Sequence, residues 1–281
     1  MIYSRRVYNE GVNPNTNNNK GDLIMKKIIA LVLALVLVCG LVACGADTNT
    51  PATTEATTEK FDATAKSEGT MTYAEYAAAA LDAEVTVECF VQAHQSWWDN
   101  KITVYAQDPD GAYFMYNMTC AEADAEKLVP GTKIKVKGFK AEYKGEIEII
   151  DCTFEIMEGT WVAEATDVTA LLASEELINH QNKFVTIKGA KIAASKNAAG
   201  EEAAFLYNWD GSGQAGDDLY FNIEVEGKTY NMCVESYLTG DGTAAYDAVE
   251  TLAIGDTVDL EGFLYWYDGV NPHITGVTKA A

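Results

Sequence analysis

The stretch Leu128-Val129-Pro130-Gly131-Thr132-Lys133-Ile134-Lys135-Val136-Lys137-Gly138-Phe139 returns 124 residues later as Leu252-Ala253-Ile254-Gly255-Asp256-Thr257-Val258-Asp259-Leu260-Glu261-Gly262-Phe263. In each copy a glycine turn is followed by apolar residues at every second position, the period of a strand with one buried face. Two other segments recur in the same order. Val85-Thr86-Val87-Glu88-Cys89 returns as Val185-Thr186-Ile187-Lys188-Gly189, and Tyr116-Asn117-Met118 as Tyr230-Asn231-Met232. The offset grows from 100 to 114 to 124 residues while the order is kept, so the second copy carries about two insertions. Two copies of this size are too few for a solenoid and read as two similar domains, at 71–158 and 159–281.

The first copy shows its elements most clearly. Thr72-x-x-Glu75 is a capping box opening an alanine-rich helix to about Leu81. Val85, Val87, Cys89 and Val91 mark strand one, and Ile102, Val104 and Ala106 mark strand two. Asp108-Pro109-Asp110-Gly111 is a turn, and Ala112 to Met118 returns as strand three. Thr119-x-x-Glu122 caps a short helix to about Leu128. Ile134 and Val136 mark strand four, and Ile147 and Ile149 mark strand five after a turn at Gly145.

Strand, hairpin, helix, hairpin is an order that resembles the OB-fold family, and the V-x-V strand with L-x-x-G-x-x-V-x-V-x-G is similar to its nucleic-acid-binding members. The resemblance covers about 72–157 and 165–281. It implies a mainly β chain of two tandem five-stranded Greek-key barrels with short helices. It is a fold signature and contains no catalytic residue. Tandem OB-like surface lipoproteins of Gram-positive bacteria are similar in layout.

That last likeness rests on the N-terminal part. From Met25 the chain reads Met-Lys-Lys, an apolar run from Ile28 to Val38, and Leu41-Val42-Ala43-Cys44-Gly45. Two lysines, a hydrophobic stretch and small residues before a cut site make an export signal over 25–43. Ile28 to Ala43 is shorter than the ~20 residues of a membrane-spanning helix. The end of the stretch resembles a lipobox, which implies that Cys44 receives a diacylglycerol and begins the mature chain. An ordinary signal or a short anchor containing a cysteine is the alternative. Residues 1–24 form a polar leader foreign to such signals, and Lys20-Gly21-Asp22 is encodable as AAA-GGA-GAT, a ribosome-binding sequence. Met25 is therefore expected to be the true start. After Cys44, residues 44–70 are rich in Thr, Ala and Glu without a hydrophobic period, and read as a disordered tether spanning roughly 25–30 Å. The expected location is the extracytoplasmic face of the cell membrane, with the membrane itself a partner through the lipid.

Loss of residues 1–43 removes Arg5, Arg6, Lys20, Lys26 and Lys27 together with Glu10 and Asp22. Of 20 basic and 42 acidic residues, 15 lysines and 40 acids remain, a net charge of −25 with no arginine. Such a surface repels nucleic acid and anionic lipid at long range. The lysine stripe Lys133, Lys135, Lys137 is expected to be met by Glu84, Glu88, Glu146 and Glu148 on flanking strands. Nucleic acid is accordingly disfavoured as a partner.

The aromatic residues carry the binding expectation. OB-type domains hold ligands across strands two and three, between the first loop and the loop joining strands four and five. In the first copy these places hold Trp97, Trp98, Tyr105, Tyr113 and Tyr143; in the second they hold Trp209, Tyr265, Trp266 and Tyr267. Rings beside Asn, Gln and Asp suit a saccharide, peptide or protein without positive charge. The alternative is that they plug barrel ends or the seam between domains. Asp210-Gly211-Ser212-Gly213-Gln214-Ala215 begins like a calcium loop but lacks the glycine at its sixth position and the glutamate at its twelfth, so no metal is expected. Cys89, Cys120, Cys152 and Cys233 show no CxxC pair; buried free thiols are favoured and disulfides stay open. His94, His180 and His273 are scattered, and no cofactor or catalytic residue is expected. The sequence reads as a membrane-tethered binding or scaffolding module, with a nucleic-acid-binding OB protein and a surface-polymer hydrolase as alternatives.

Overall fold

A computed structural model of the chain describes residues 61–280. The leader, the signal segment, Cys44 and residues 44–60 of the expected tether lie outside the described residues. Strands β1 (Glu84–His94), β2 (Lys101–Gln107), β3 (Ala112–Thr119), β4 (Thr132–Tyr143) and β5 (Glu146–Thr160) close a barrel in the order β1-β2-β3-β5-β4. The second half contains β6 (Thr166–Asp167), β7 (Phe184–Ala193), β8 (Ser195–Lys196), β9 (Glu202–Ala203), β10 (Leu206–Tyr207), β11 (Leu219–Val225), β12 (Lys228–Val234), β13 (Thr257–Phe263) and β14 (His273–Lys279). Here β7, β11, β12, β14 and β13 form a second closed ring, because β11 also pairs with β7. Both rings have the OB order, with strands three and five parallel. The chain carries two tandem OB-like barrels.

The repeat in the sequence is a repeat of register. Val85 faces Gly138 and Val87 faces Val136 in the first barrel; Val185 faces Gly262 and Ile187 faces Leu260 in the second. Glycine is required at the first of these pairs, where a Cβ on Gly138 would lie 2.5 Å from Cys152 Cβ and one on Gly262 would lie 2.2 Å from His273 O. The copies part at Gly189, whose φ of +62° lets β7 bulge so that Val258 meets Ala190.

Alternation fills each ring. Val85, Val87, Cys89, Val91, Val104, Ile134, Val136 and Ile149 are buried in the first, and Ile187, Phe221, Ile223, Met232, Val258 and Leu260 in the second. The helices between strands three and four are α2 (Glu122–Ala125) and α3 (Ala244–Glu250). Ahead of β1, α1 (Tyr73–Ala78) has the expected Thr72–Glu75 capping box. The cap expected at Thr119 does not form: Thr119 still belongs to β3, and Ala121 starts α2 without a side-chain bond. The turn at Asp108 forms as expected, its Oδ1 accepting from the N–H groups of Asp110 and Gly111 at 2.8 Å. All four described cysteines are buried and free.

Residues 61–70, expected to belong to the disordered tether, are instead held against the first barrel. Phe61 meets Phe90 edge to face at 5.9 Å. Lys66 Nζ reaches Asp108 Oδ2 at 2.6 Å and Glu88 O at 2.7 Å, and Ser67 donates to the Glu88 carboxylate. Composition hid this, because one aromatic ring and one buried lysine anchor a segment with no hydrophobic period. These contacts also explain why Glu88 and Phe90 are buried although they point out of the barrel.

The lysine stripe is met by carboxylates only in part. Lys133 pairs with Glu88 at 2.9 Å and Lys137 with Glu84 at 3.0 Å, whereas Lys135 donates to Ser67 Oγ. Glu146 and Glu148 do not meet the stripe: both are buried, and Glu146 is turned toward the second barrel.

Candidate functional site

The two barrels meet across the outer face of β2 and β3, the face expected to hold a ligand in the first barrel. Tyr105 of β2 and Phe114 of β3 point outward, yet both are buried, because Phe263 and Tyr265 of the second barrel lie on them. Tyr105 Oη is 2.7 Å from His273 Nδ1, and burial holds that imidazole neutral by lowering its pKa to about 3. Carboxyl groups cross the seam in both directions. Glu146 accepts from Asn182 Nδ2 at 2.6 Å and Trp266 N at 2.9 Å; Glu235, just beyond β12, accepts from Gln95 Nε2 at 2.8 Å. Burial pushes both acids up to about 8; Asn182 and Trp266 oppose this at Glu146, while Asp218 adds to it at Glu235.

The corresponding face of the second barrel, on β11 and β12, remains open. Along β11 the side chains of Leu219, Phe221 and Ile223 go inward, which leaves Tyr220 and Asn222 outside, opposite Cys233 and Asn231 of β12. The loop between β13 and β14 supplies Tyr265 and Tyr267, and the insertion between β7 and β11 supplies Trp209. Gln95 and Tyr116 of the first barrel close one side. Together they enclose a cleft of about 810 Å3. Glu235 and Asp268 are its acidic groups, and among the described residues no lysine lines it. Asn271 Nδ2 donates to Asn231 Oδ1 at 3.2 Å, so amide groups are arrayed beside the rings.

The expected site residues divide accordingly. Trp209, Tyr265 and Tyr267 line the cleft. Tyr143 meets the Tyr267 ring edge-on at 6.1 Å, at the rim. Trp266 turns away and packs on the second core. Tyr105 and Tyr113 are corrected from ligand face to packing: Tyr105 by the docked second barrel, Tyr113 because its side chain faces Tyr73 and Tyr76 and its hydroxyl donates to Asp108 Oδ2 at 2.8 Å. Trp97 is half-buried and donates from Nε1 to Cys120 O at 2.9 Å. Trp98 is 78% exposed on a two-residue turn with Asp99 and Asn100 at positive φ, and does not line the cleft. The sequence reading missed Tyr116, Tyr220, Gln95, Asn231 and Glu235. The period-two alternation of 219–223 was the signal that would have found Tyr220.

No protein-family model matches the chain, and no curated protein matches its sequence. Solved structures do match over most of its length. A murine DNA-binding protein bound with double-stranded DNA aligns at 13% identity and a TM-score of 0.34, covering 70% of this chain and 96% of that one. The p202 HIN1 domain in complex with a 12-mer double-stranded DNA aligns at 11% identity and 0.33, covering 72% and 96%. A deletion mutant of the single-stranded DNA-binding protein from Thermus aquaticus aligns at 12% and 0.22, covering 70% and 94%.

At this level the likeness is one of fold. These neighbours are DNA-binding proteins, and against them the expectation of a saccharide, peptide or protein ligand, with nucleic acid disfavoured, is corrected. The charge argument behind that expectation weighs against phosphate contacts and slows encounter with any strand, but it leaves contacts to the bases open.

Proposed function

We propose that the second barrel's open face binds single-stranded nucleic acid through its bases, without catalysis. The observation that carries this is the cleft itself, with Tyr116, Trp209, Tyr220, Tyr265 and Tyr267 around one opening. Every base has a π face, and a base stacked on an aromatic side chain contributes roughly 1–3 kcal/mol whatever its sequence. The amides of Gln95, Asn231 and Asn271 are there to meet base edges. Phosphates stay outside, in solvent: among the described residues no lysine lines the cleft, and Lys144 at its rim is paired with Asp268 at 2.8 Å.

This mode has a signature in salt. Proteins that neutralise Z phosphates of a single strand lose affinity with a log–log slope of about −0.7Z. Here no phosphate is neutralised and the protein is acidic, so salt screens a repulsion. Affinity for a labelled single-stranded oligonucleotide should stay level or rise between low and physiological salt, and Trp209→Ala should weaken it roughly fivefold or more. Absence of binding at millimolar protein would end the proposal. A steep loss of affinity with salt would place the contact on a basic track elsewhere.

We also propose that Cys44 carries a lipid and that the barrels stand on the extracytoplasmic face of the membrane. The support is the lipobox-like Leu41-Val42-Ala43-Cys44 after an export signal. Mass spectrometry of the membrane fraction should find a diacylated Cys44 as the first residue, and a mature terminus elsewhere would refute it.

A further inference from the structure

We infer that Glu235 reads the donor edge of a guanine in this cleft. The inference rests on the cleft's being a base-binding face and adds the base that it selects. Glu235 sits where the second barrel's strand three leaves the ring, with its side chain 12% exposed. Its Oε2 is fixed by Gln95 Nε2 of the first barrel at 2.8 Å. Among the described residues its Oε1 receives no hydrogen bond and no lysine pairs with it. A buried carboxyl without a counter-charge is costly, and such groups in clefts mark sites where a ligand supplies what is missing.

The groups facing Glu235 offer it no cation. They are Asp218 ahead of β11, Tyr220 on β11, Cys233 on β12, Tyr265 and His273 around the start of β14, and Tyr105 across the seam. His273 Nδ1 comes within 4.0 Å of Oε2, but this is no ion pair, because burial keeps the imidazole neutral. Asp218 is itself occupied, accepting from Ser236 N at 2.8 Å and Ser236 Oγ at 2.6 Å.

Unpaired bases are read on their Watson–Crick edges while stacked on rings. Guanine alone among the four DNA bases presents two adjacent donors there, N1–H and the 2-amino group. A carboxylate accepts two such bonds side by side. Adenine, cytosine and thymine each offer at most one donor beside an acceptor, which an ionised carboxylate cannot satisfy. Because the empty cleft raises the acid to about 8, guanine must displace a proton at lower pH. Its affinity should then rise up to tenfold per pH unit between pH 6 and 7, and level off above 8.

The experiment uses the complete exported chain and a short labelled thymine oligonucleotide carrying one central guanine, inosine, adenine or cytosine. Guanine should bind about tenfold or more tighter than inosine, which lacks the 2-amino group. Glu235→Gln, with its melting temperature checked against the parent, should remove that preference and the pH dependence. If no oligonucleotide binds, the cleft reading fails and this inference fails with it. If all four bind alike, if guanine preference survives Glu235→Gln, or if guanine affinity falls with rising pH, the guanine reading is overturned while base binding stands.

Discussion

Tyr105 of the first barrel and Phe263 of the second lie nearly parallel, with ring centroids 4.5 Å apart. Tyr105 is the residue an OB barrel would offer to a ligand, and Phe263 ends β13 at the position that Phe139 holds within β4 of the first barrel. The outer face of β2 and β3 in the first barrel has become the docking face for the second. The tandem therefore presents one open face rather than two, and the seam belongs to the core.

Truncation at this seam should cost folding stability. Tyr105→Ala is expected to lose about 3–5 kcal/mol, the usual cost of removing a large buried ring. Tyr105→Phe should lose about 1 kcal/mol, since it deletes only the bond to His273. Urea unfolding of both variants separates the two amounts, and a Tyr105→Ala protein as stable as the parent would show that the barrels do not dock.

The neighbouring tryptophans should behave oppositely. Trp97 is half-buried and hydrogen-bonded to Cys120 O, so Trp97→Ala should cost about 3 kcal/mol or more. Trp98 projects into solvent, and Trp98→Ala should stay within about 0.5 kcal/mol of the parent. Acrylamide should quench the Trp98 and Trp209 emission readily and Trp97 poorly; equal stability loss in the two variants would contradict the placement.

Stability should fall as pH rises from about 5 to 8. Glu146 and Glu235 are held up to about 8 in the folded chain against 4.5 when unfolded, so their contribution is full below 4.5 and gone once pH passes 8. Each removes up to about 1.4 kcal/mol per pH unit across that window. His273, lowered to about 3 from 6.5, works the other way, contributing above 6.5 and losing that contribution as pH falls through 3. Two groups outweigh one, so melting temperature should peak near pH 5; the double variant Glu146→Gln, Glu235→Gln should flatten the alkaline limb. A parent whose stability climbs from pH 5 to 8 would contradict this.

The segment 61–70 should be part of the folded unit. Lys66→Met leaves Asp108 buried without its cation and is expected to cost about 3–5 kcal/mol. Asp108 keeps the N–H groups of Asp110 and Gly111 and the Tyr113 hydroxyl, so Asp108→Asn together with Lys66→Met should recover part of the loss. Limited proteolysis should spare 61–70 in the parent and cut it in Lys66→Met. Equal cutting in both would show that the segment is not anchored.

Local periodicity determined much of this protein. Alternation at Val85–Val91 and Ile134–Val136, glycines where strands cross closely, and the repeat of both 100 or 124 residues later carried the two OB-like barrels and even their shared register. These features are legible because a strand's inward face must be apolar, and because Gly138 and Gly262 leave no room for a Cβ. Tertiary structure decided what the outward faces do. An outward aromatic looks the same in sequence whether it meets solvent, as Trp209 does, or another barrel, as Tyr105 does. Charge was equally ambiguous: Glu84 and Glu146 are both strand-end glutamates, yet one pairs with Lys137 at the surface and the other is buried and accepts bonds from the second barrel. Which face stays open depends on the docking of two bodies far apart in sequence, and no local pattern records that contact.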